Sequence, residues 1–589
     1  MNRLARLVPA VAGLCVASLA WCDTPAWITA SNRHAAELLE AFAKYTPENA
    51  AGIGVQSHDG EVLDLKPGNV HREEGDMEAA AARLAEARSS ETDPRVKQDL
   101  EILLKSARDE RTTLELRDRL MLPYFDLPQT IYVGYERLLD PRVAKERYPA
   151  ALLRLKRYIG AQPGYEPIAR LARARIEERL DDRALTAPWS VEVEQDLKNQ
   201  AQYVSGIRDL FQKSGLRGWQ RDFATLGEQL DAYAKWVRAS VLPRARTTNL
   251  LPEAIYADNL KQFGVTMDPR ELMDRALFTF AQTRDAMQSL AAGIARQHGR
   301  HDSDYRSVIR ELKKQRITND RLIEVYRERL AGIEKIVRDA HLISLPERAA
   351  VIRLATAAET AATPAPHMSI PRLIGNTGEQ GEFVLPTSNP NAESKEEMDD
   401  FNYDAITWDL TAHEARPGHE LQFDAMLEHG VSTARAVFAF NSANVEGWGL
   451  YSEAFMLPYL SPEGQLGVLE MRLMRAARAF LDPMLNLGMI KPEEAKRVLM
   501  EEVVLSEPLA KEEIDRYTFR APGQATSYFF GYSKLEALRA RAELALGAKF
   551  ALQPYHDYII AQGLLPLDLL EKSVMEGYVK PQLAVLGSR

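Results

Sequence analysis

Helical periodicity runs almost without interruption through residues 27–344, and this restricts the chain to a large helical scaffold. Within 96–120 the apolar Val96, Leu100, Leu103, Leu104 and Ala107 fall at i, i+4, i+7, i+8 and i+11 with charges between them, and residues 322–343 repeat the style. Punctuation comes at Lys66-Pro67-Gly68, Gln162-Pro163-Gly164, Leu242-Pro243 and Leu345-Pro346, which read as turns between helices and not as domain linkers. At 589 residues with 46% hydrophobic side chains the chain can bury a large core, so disorder is excluded as its main state.

Residues 361–391 break the pattern with Pro364, Pro366, Pro371, Pro386 and Pro390 and with Gly375, Gly378 and Gly381, so they form no helix. Inside this stretch Gly381-Glu382-Phe383-Val384-Leu385-Pro386 has the apolar and β-branched content of a short strand. The proline that stops it predicts an edge strand. The charged run 393–400 reads as the solvated entry to a helix that starts near Asn402, and helical pattern then continues to the end.

The charge balance narrows the partners. Seventy-four Lys and Arg against 84 Asp and Glu give a formal charge of -10, which leaves no basic excess for a nucleic-acid backbone. Arg3 and Arg6, the apolar run 7–20 and the small residues of Ser18-Leu19-Ala20 form a secretory signal, cut after Ala20 or Cys22 and too short to span a bilayer. Leu19-Ala20-Trp21-Cys22 is a poor lipidation signal, because bulky Trp21 stands where a small residue belongs. Cys15 and Cys22 are the only cysteines, so no disulfide forms within the mature chain and packing must hold it. No later segment reaches 18 uninterrupted apolar residues, and integral membrane classes are excluded. A soluble periplasmic or secreted protein is expected.

The segment richest in chemistry is Thr411-Ala412-His413-Glu414-Ala415-Arg416-Pro417-Gly418-His419-Glu420-Leu421-Gln422, with two of eleven histidines inside seven residues. A catalytic zinc needs imidazoles and a carboxylate converging on one point, and a further carboxylate to deprotonate its water. Yet His413 and His419 are six apart, about 240° around a regular helix, whereas the usual pair is four apart on one face. An undistorted helix fails. Pro417 and Gly418 lie between the histidines and can break it, swinging His419 back toward His413. The same residues also fit a metal-free reading, with His413 packed at a helix end and His419 in the next first turn.

A third ligand must come from another element, and Glu446 in Asn444-Val445-Glu446-Gly447-Trp448-Gly449-Leu450-Tyr451-Ser452-Glu453 is the candidate. Gly447 and Gly449 each weaken a helix by roughly 1 kcal/mol against alanine, which points to close approach by another backbone. Glu453, about 10 Å along the axis from Glu446, is left to a supporting or a surface role. Further on, Tyr528 and Tyr532 share one helical face, and Arg520 precedes them. Tyrosine can donate to an oxyanion and arginine can hold a substrate carboxylate, while core or rim packing is the plainer reading of both tyrosines.

Taken together, 413–422, 445–453 and Pro522-Gly523-Gln524-Ala525, with the early Gly52-Ile53-Gly54-Val55-Gln56-Ser57-His58-Asp59, resemble the bacterial family called domain of unknown function 885. That family is similar to glutamate-zincin metallopeptidases, helical enzymes with a small substrate-binding sheet. The resemblance implies His413, His419 and Glu446 as metal ligands, Glu414 as general base and Tyr528 in the oxyanion region. The expected fold is mainly α, a large helical scaffold with a small β-sheet beside a zincin-like active-site cleft. A signal peptide over 1–22 precedes a helical region 23–345 and a catalytic region 346–589, packed as one continuous unit. The expected function is that of an exported Zn2+-dependent metallohydrolase, a peptidase for short peptides. Arg520, Tyr532 and the free edge formed by Glu382, Phe383 and Val384 would bind the substrate. A metallohydrolase for non-peptide amides or esters and a non-catalytic peptide-binding protein remain the alternatives.

Overall fold

The structure, a computed structural model, describes residues 25–587 apart from 357–358, 361–362, 364, 377 and 387–397. The signal segment 1–22 and residues 393–397 of the charged run lie outside the described residues.

Helices begin where a cap meets the apolar period. Pro94–Leu120 starts with Pro94 in its first turn and the Asp93 side chain accepting the Arg95 N–H, and it buries Val96, Leu100, Leu103, Leu104 and Ala107. This is the stripe that the periodicity predicts. Gly68 and Gly164, both predicted turns, adopt φ of +70° and +83°, a region that glycine enters without strain. The helices Ala26–Tyr45, Asn69–Ser90 and Pro94–Leu120 enclose one apolar cluster, and Leu127–Leu138, Pro149–Tyr158, Ile168–Glu177 and Gln220–Trp236 enclose a second. The largest core runs chiefly from Tyr256 to Val579. Its centre is the helix Pro462–Asn486, packed on Pro269–Gln297, Asp404–Leu410 and Thr526–Leu546. The protein is thus mainly α with a small β-sheet. No helix among the described residues is long and apolar enough to cross a membrane.

The early glycine motif ties the N-terminal helices to the later half. Gly54 has φ +103°, a Cβ there would strike the Ile374 carbonyl, and the Ile374 N–H donates to the Ile53 carbonyl at 3.2 Å. Asp59 is buried against Arg147 in a two-pronged ion pair of 2.7 Å on each oxygen.

Three short strands make the sheet: β1 (Val351–Leu354), β2 (His367–Ser369) and β3 (Glu382–Leu385), in the order β1-β3-β2. The expected edge strand is therefore the central one. It runs parallel to β1, pairing Glu382 with Val351, and antiparallel to β2, pairing Val384 with His367. Pro386 falls just past the last paired residue, so its missing N–H interrupts no ladder bond, and Phe383, Val384 and Leu385 are all buried. Glu382, Phe383 and Val384 accordingly offer no free edge to a substrate. The Glu382 carboxylate accepts from Arg353 Nε at 2.7 Å, and the Phe383 ring stands edge-on to Tyr326 at 5.3 Å. After the sheet, the next helix starts at Asp404, two residues later than expected.

Candidate metal centre

The helix Asp404–Leu410 does not simply end but widens into a π-helical turn, Thr411–Ala415, that carries His413. The chain then turns through a cis Arg416-Pro417 bond and Gly418, and a new helix opens at His419 and runs to His429. The helix breaks where the histidine spacing demands it. Gly418 is required here, because a Cβ would collide with the His413 carbonyl oxygen. The break is fastened from the helix Ser442–Met456, where Trp448 Nε1 and Ser452 Oγ both donate to the Pro417 carbonyl, at 3.0 and 3.3 Å. Arg416 braces the other side: its guanidinium donates to both Glu420 oxygens, at 2.6 and 2.9 Å, and to Glu334 at 2.8 Å. Burial raises the Glu420 carboxyl to about 7 while Arg416 draws it back toward ionisation.

The result is a convergence of three candidate ligand groups, two imidazoles and one carboxylate. The His413 and His419 rings lie edge to face with centroids 4.6 Å apart. Both Nε2 atoms approach the same Glu446 oxygen, His413 at 3.5 Å and His419 at 3.3 Å. One ligand atom from each of the three lies within 4.8 Å of the others. Glu446 comes from the helix Ser442–Met456, capped by Asn441, whose side chain accepts the Asn444 N–H at 2.8 Å. Burial alone would raise the Glu446 carboxyl, but hydrogen bonds to the two imidazoles hold it well below the usual range.

Glu453 has the supporting role and not the surface one. Fully buried, it accepts from His413 Nδ1 at 2.6 Å and lies 3.4 Å from Arg475. A carboxylate on Nδ1 leaves Nε2 as the atom that could ligate a metal and fixes the ring's orientation. Burial works against charge on His413, yet Glu446 and Glu453 outweigh it and raise the imidazole to about 10, so the pocket strongly favours positive charge. Asp409, one helical turn before His413 and also fully buried, is pushed well above the carboxylate range by burial and by the Glu453 charge. Sequence reasoning missed Asp409 and Arg475. Asp409 has a faint signal, an acid between Trp408 and Leu410 four residues before the first histidine. His419 Nδ1 is buried without a hydrogen-bond partner among the described residues, so packing and Glu446 alone position that ring.

The remaining expected residues divide. Glu414 is half-buried and makes no hydrogen bond or ion pair among the described residues, which leaves its carboxylate uncommitted beside His413. The Tyr528 ring stacks on His413 at 6.3 Å, 20° from parallel, with the Arg478 guanidinium 4.5 Å from its centre. Tyr528 is brought there by a close crossing of Ser442–Met456 with Thr526–Leu546. A Cβ on Gly447 would stand 2.6 Å from Gly531 Cα, and one on Gly531 would strike the Ala443 carbonyl. The backbone approach expected at Gly447 is therefore present. At Gly449 the neighbour is instead the His413 ring, 2.6 Å from the position of a Cβ. Tyr532 sits one turn on, under Arg472 at 5.4 Å. Arg520 turns to Asp515 at 3.9 Å and pairs with no member of the histidine cluster among the described residues.

No curated protein matches this sequence. Solved structures share the fold, among them the following two. One is described as a "putative lipoprotein" from Colwellia psychrerythraea, 19% identical, with a TM-score of 0.75, covering 93% of this chain and 98% of its own. The other, a "putative lipoprotein of unknown function" from Shewanella oneidensis, is 18% identical with a TM-score of 0.71, covering 94% and 100%. The family described as "Bacterial protein of unknown function (DUF885)" matches residues 47–574, a span that contains the whole histidine and glutamate cluster, and the chain belongs to that family.

Proposed function

We propose that this protein is an exported zinc-dependent metallohydrolase, a peptidase that hydrolyses short peptides. The observation that carries the reading is the meeting of His413 and His419 Nε2 on one Glu446 oxygen across a broken helix. Two imidazoles and a carboxylate are a catalytic zinc set that keeps one coordination position open. A zinc ion bound there supplies Lewis acidity and brings a water's ionisation near neutral pH.

The chain's own residues do the rest. Glu453, held by Arg475, keeps the His413 ring in place. Glu414 takes the proton from the attacking water and later returns it to the leaving amine. Tyr528, whose hydroxyl makes no hydrogen bond among the described residues, donates to the oxygen on which negative charge develops. His413 and His419 are only 2% and 6% exposed, which favours slender chains over folded proteins as substrates. Export is supported by the charged-then-apolar start of the sequence and by structural relatives whose descriptions name lipoproteins.

The test is Glu414→Gln, which keeps the side chain's size and removes its basicity. The expected outcome is full zinc content by elemental analysis with hydrolysis of short peptides lower by at least about 10²-fold. Loss of zinc together with activity would make Glu414 a ligand, and absence of stoichiometric zinc from the wild-type protein would remove the reading altogether.

A further inference from the structure

A cavity of about 570 Å³ is walled by the helices Pro94–Leu120 and Ile168–Glu177 on one side and by Thr518, Phe519 and Pro522 on the other. That is the size of a small-molecule site, and no member of the histidine cluster lines it. Its charges do not cancel. Among the described residues four guanidiniums line it, those of Arg117, Arg175, Arg179 and Arg246, against the carboxyls of Asp118, Glu178 and Glu192. Arg179 pairs with Asp118 at 2.8 Å and Arg175 with Glu178, while His71, also on the wall, pairs with Glu74 at 3.1 Å. Glu192 is raised to about 7 by burial and accepts the Trp189 N–H at 3.2 Å. Arg246 donates only to main-chain carbonyls, Ala187 at 2.5 Å and Asn249 at 3.3 Å. Arg117 is exposed, and its one hydrogen bond is a long one of 3.4 Å to the Asn259 side chain. Neither makes an ion pair among the described residues.

Two further observations give the cavity the same sign. Gly68, Asn69, Val70 and His71, the opening of the helix Asn69–Ser90, all line it. No side chain caps that helix and no acid stands in its first turn, so the positive end of its dipole is left uncompensated. Arg175, with its side chain 9% exposed, has Nε and Nη1 without a hydrogen bond. Between the charged groups the wall is apolar, with Leu114, Met121, Leu251, Ile255 and Phe519. We propose that this cavity binds a small organic carboxylate with an apolar body, the carboxylate drawn by Arg117 and Arg246 and the body lying on Leu251, Ile255 and Phe519. The guanidinium fork matches a carboxylate. A neutral ligand would leave the two uncompensated cations unmet, and a bare inorganic anion would leave the apolar wall unused. A polyanion would bring Asp118, Glu178 and Glu192 against its own charge. The site stands whether or not the histidine cluster holds zinc.

The experiment measures binding of 4-phenylbutyrate, 4-phenylbutanol and acetate to the full protein by calorimetry, with and without chelator. None of the three carries a bond that a hydrolase could cut. 4-Phenylbutyrate should bind at least about 10-fold more tightly than the alcohol, the size of one charge-assisted hydrogen bond. It should exceed acetate by at least about 10-fold as well, the size of burying its phenyl group. Chelator should change neither ratio. Arg117→Met, at an exposed position that holds no carboxylate, should remove most of the advantage over the alcohol without weakening the alcohol, and Arg117→Lys should keep part of it. The proposal is overturned if 4-phenylbutyrate does not bind, if the alcohol or acetate binds as tightly, or if the advantage survives Arg117→Met. An advantage that disappears with chelator would place the acid at the metal centre and overturn it too.

Discussion

Gly449→Ala separates the helix from the site it carries. An alanine Cβ would lie 2.6 Å from His413 Cε1, 2.8 Å from Nε2 and 2.9 Å from Nδ1. Ordinary carbon contacts are about 3.5 Å, so ring or helix must give by roughly 0.9 Å. The ring is not a free end that can swing away. It is pinned by the 2.6 Å bond to Glu453 and rooted in the π-helical turn. Metal ligands tolerate displacements of about 0.2 Å, and disturbing a supporting carboxylate alone weakens metal affinity roughly 10- to 100-fold. Moving ligand and support together should lower zinc affinity by at least about 100-fold. Stability changes much less, since alanine favours the helix by about 1 kcal/mol while overpacking opposes it by about 1–3 kcal/mol. Competition with a chromophoric chelator reads the affinity, and thermal unfolding in excess chelator reads the fold. A variant that keeps wild-type zinc affinity would show that His413 is not a ligand in the observed rotamer, and the geometry argued from Glu446 would fall with it.

Gly531→Ala drives a methyl into the Ala443 carbonyl where Ser442–Met456 and Thr526–Leu546 cross, and backbone cannot yield as a side chain can. A loss of about 1–3 kcal/mol in denaturant unfolding is expected. The Glu513 carboxyl, which burial would raise, is held at about 2 by Arg478 and Arg516, so its stabilising effect is complete above its ordinary value of 4.5 and vanishes as pH falls toward 2. Glu513→Gln should therefore flatten the acid limb of the stability curve between those values, and an unchanged limb would rule out the pairing as its source. Mass spectrometry of protein from an exporting host should find the mature chain starting after Ala20 or Cys22, without lipid. A lipid adduct on Cys22 would reverse the judgement on Trp21.

The helical half of the fold was legible because its information is local. The stripe at Val96, Leu100, Leu103, Leu104 and Ala107 needs no knowledge of what it packs against, and the Asp93 cap and Pro94 mark its start in the sequence itself. Strand rank in the sheet is not local. Phe383, Val384 and Leu385 signal burial, but whether one or two strands flank them depends on residues 351–354 and 367–369, which carry no strand pattern strong enough to read. Pro386 argues for an edge only if it lies within the ladder, and the ladder ends at Leu385.

The site divides along the same line, and the division explains why its least orthodox feature was its most readable one. A spacing of six residues forbids a shared helical face, so either the histidines are unrelated or the helix breaks between them. Pro417 and Gly418 stand between the two histidines, where the chain does break. Spacing and punctuation are both written along one short segment, and the break at Pro417-Gly418 and the approach of the two rings to 4.6 Å match what they imply. The supporting shell is written across distant segments. Glu453 meets His413 over 40 residues and Arg475 reaches Glu453 from a third helix, so both depend on how Ser442–Met456 and Pro462–Asn486 pack. Arg516 and Arg520 sharpen the point. Four residues apart on one short turn, they meet different carboxylates: the first shares Glu513 with Arg478, whereas the second has Asp515 nearby. A cation's availability is set by what its neighbours have already taken, and that quantity exists only in the folded chain.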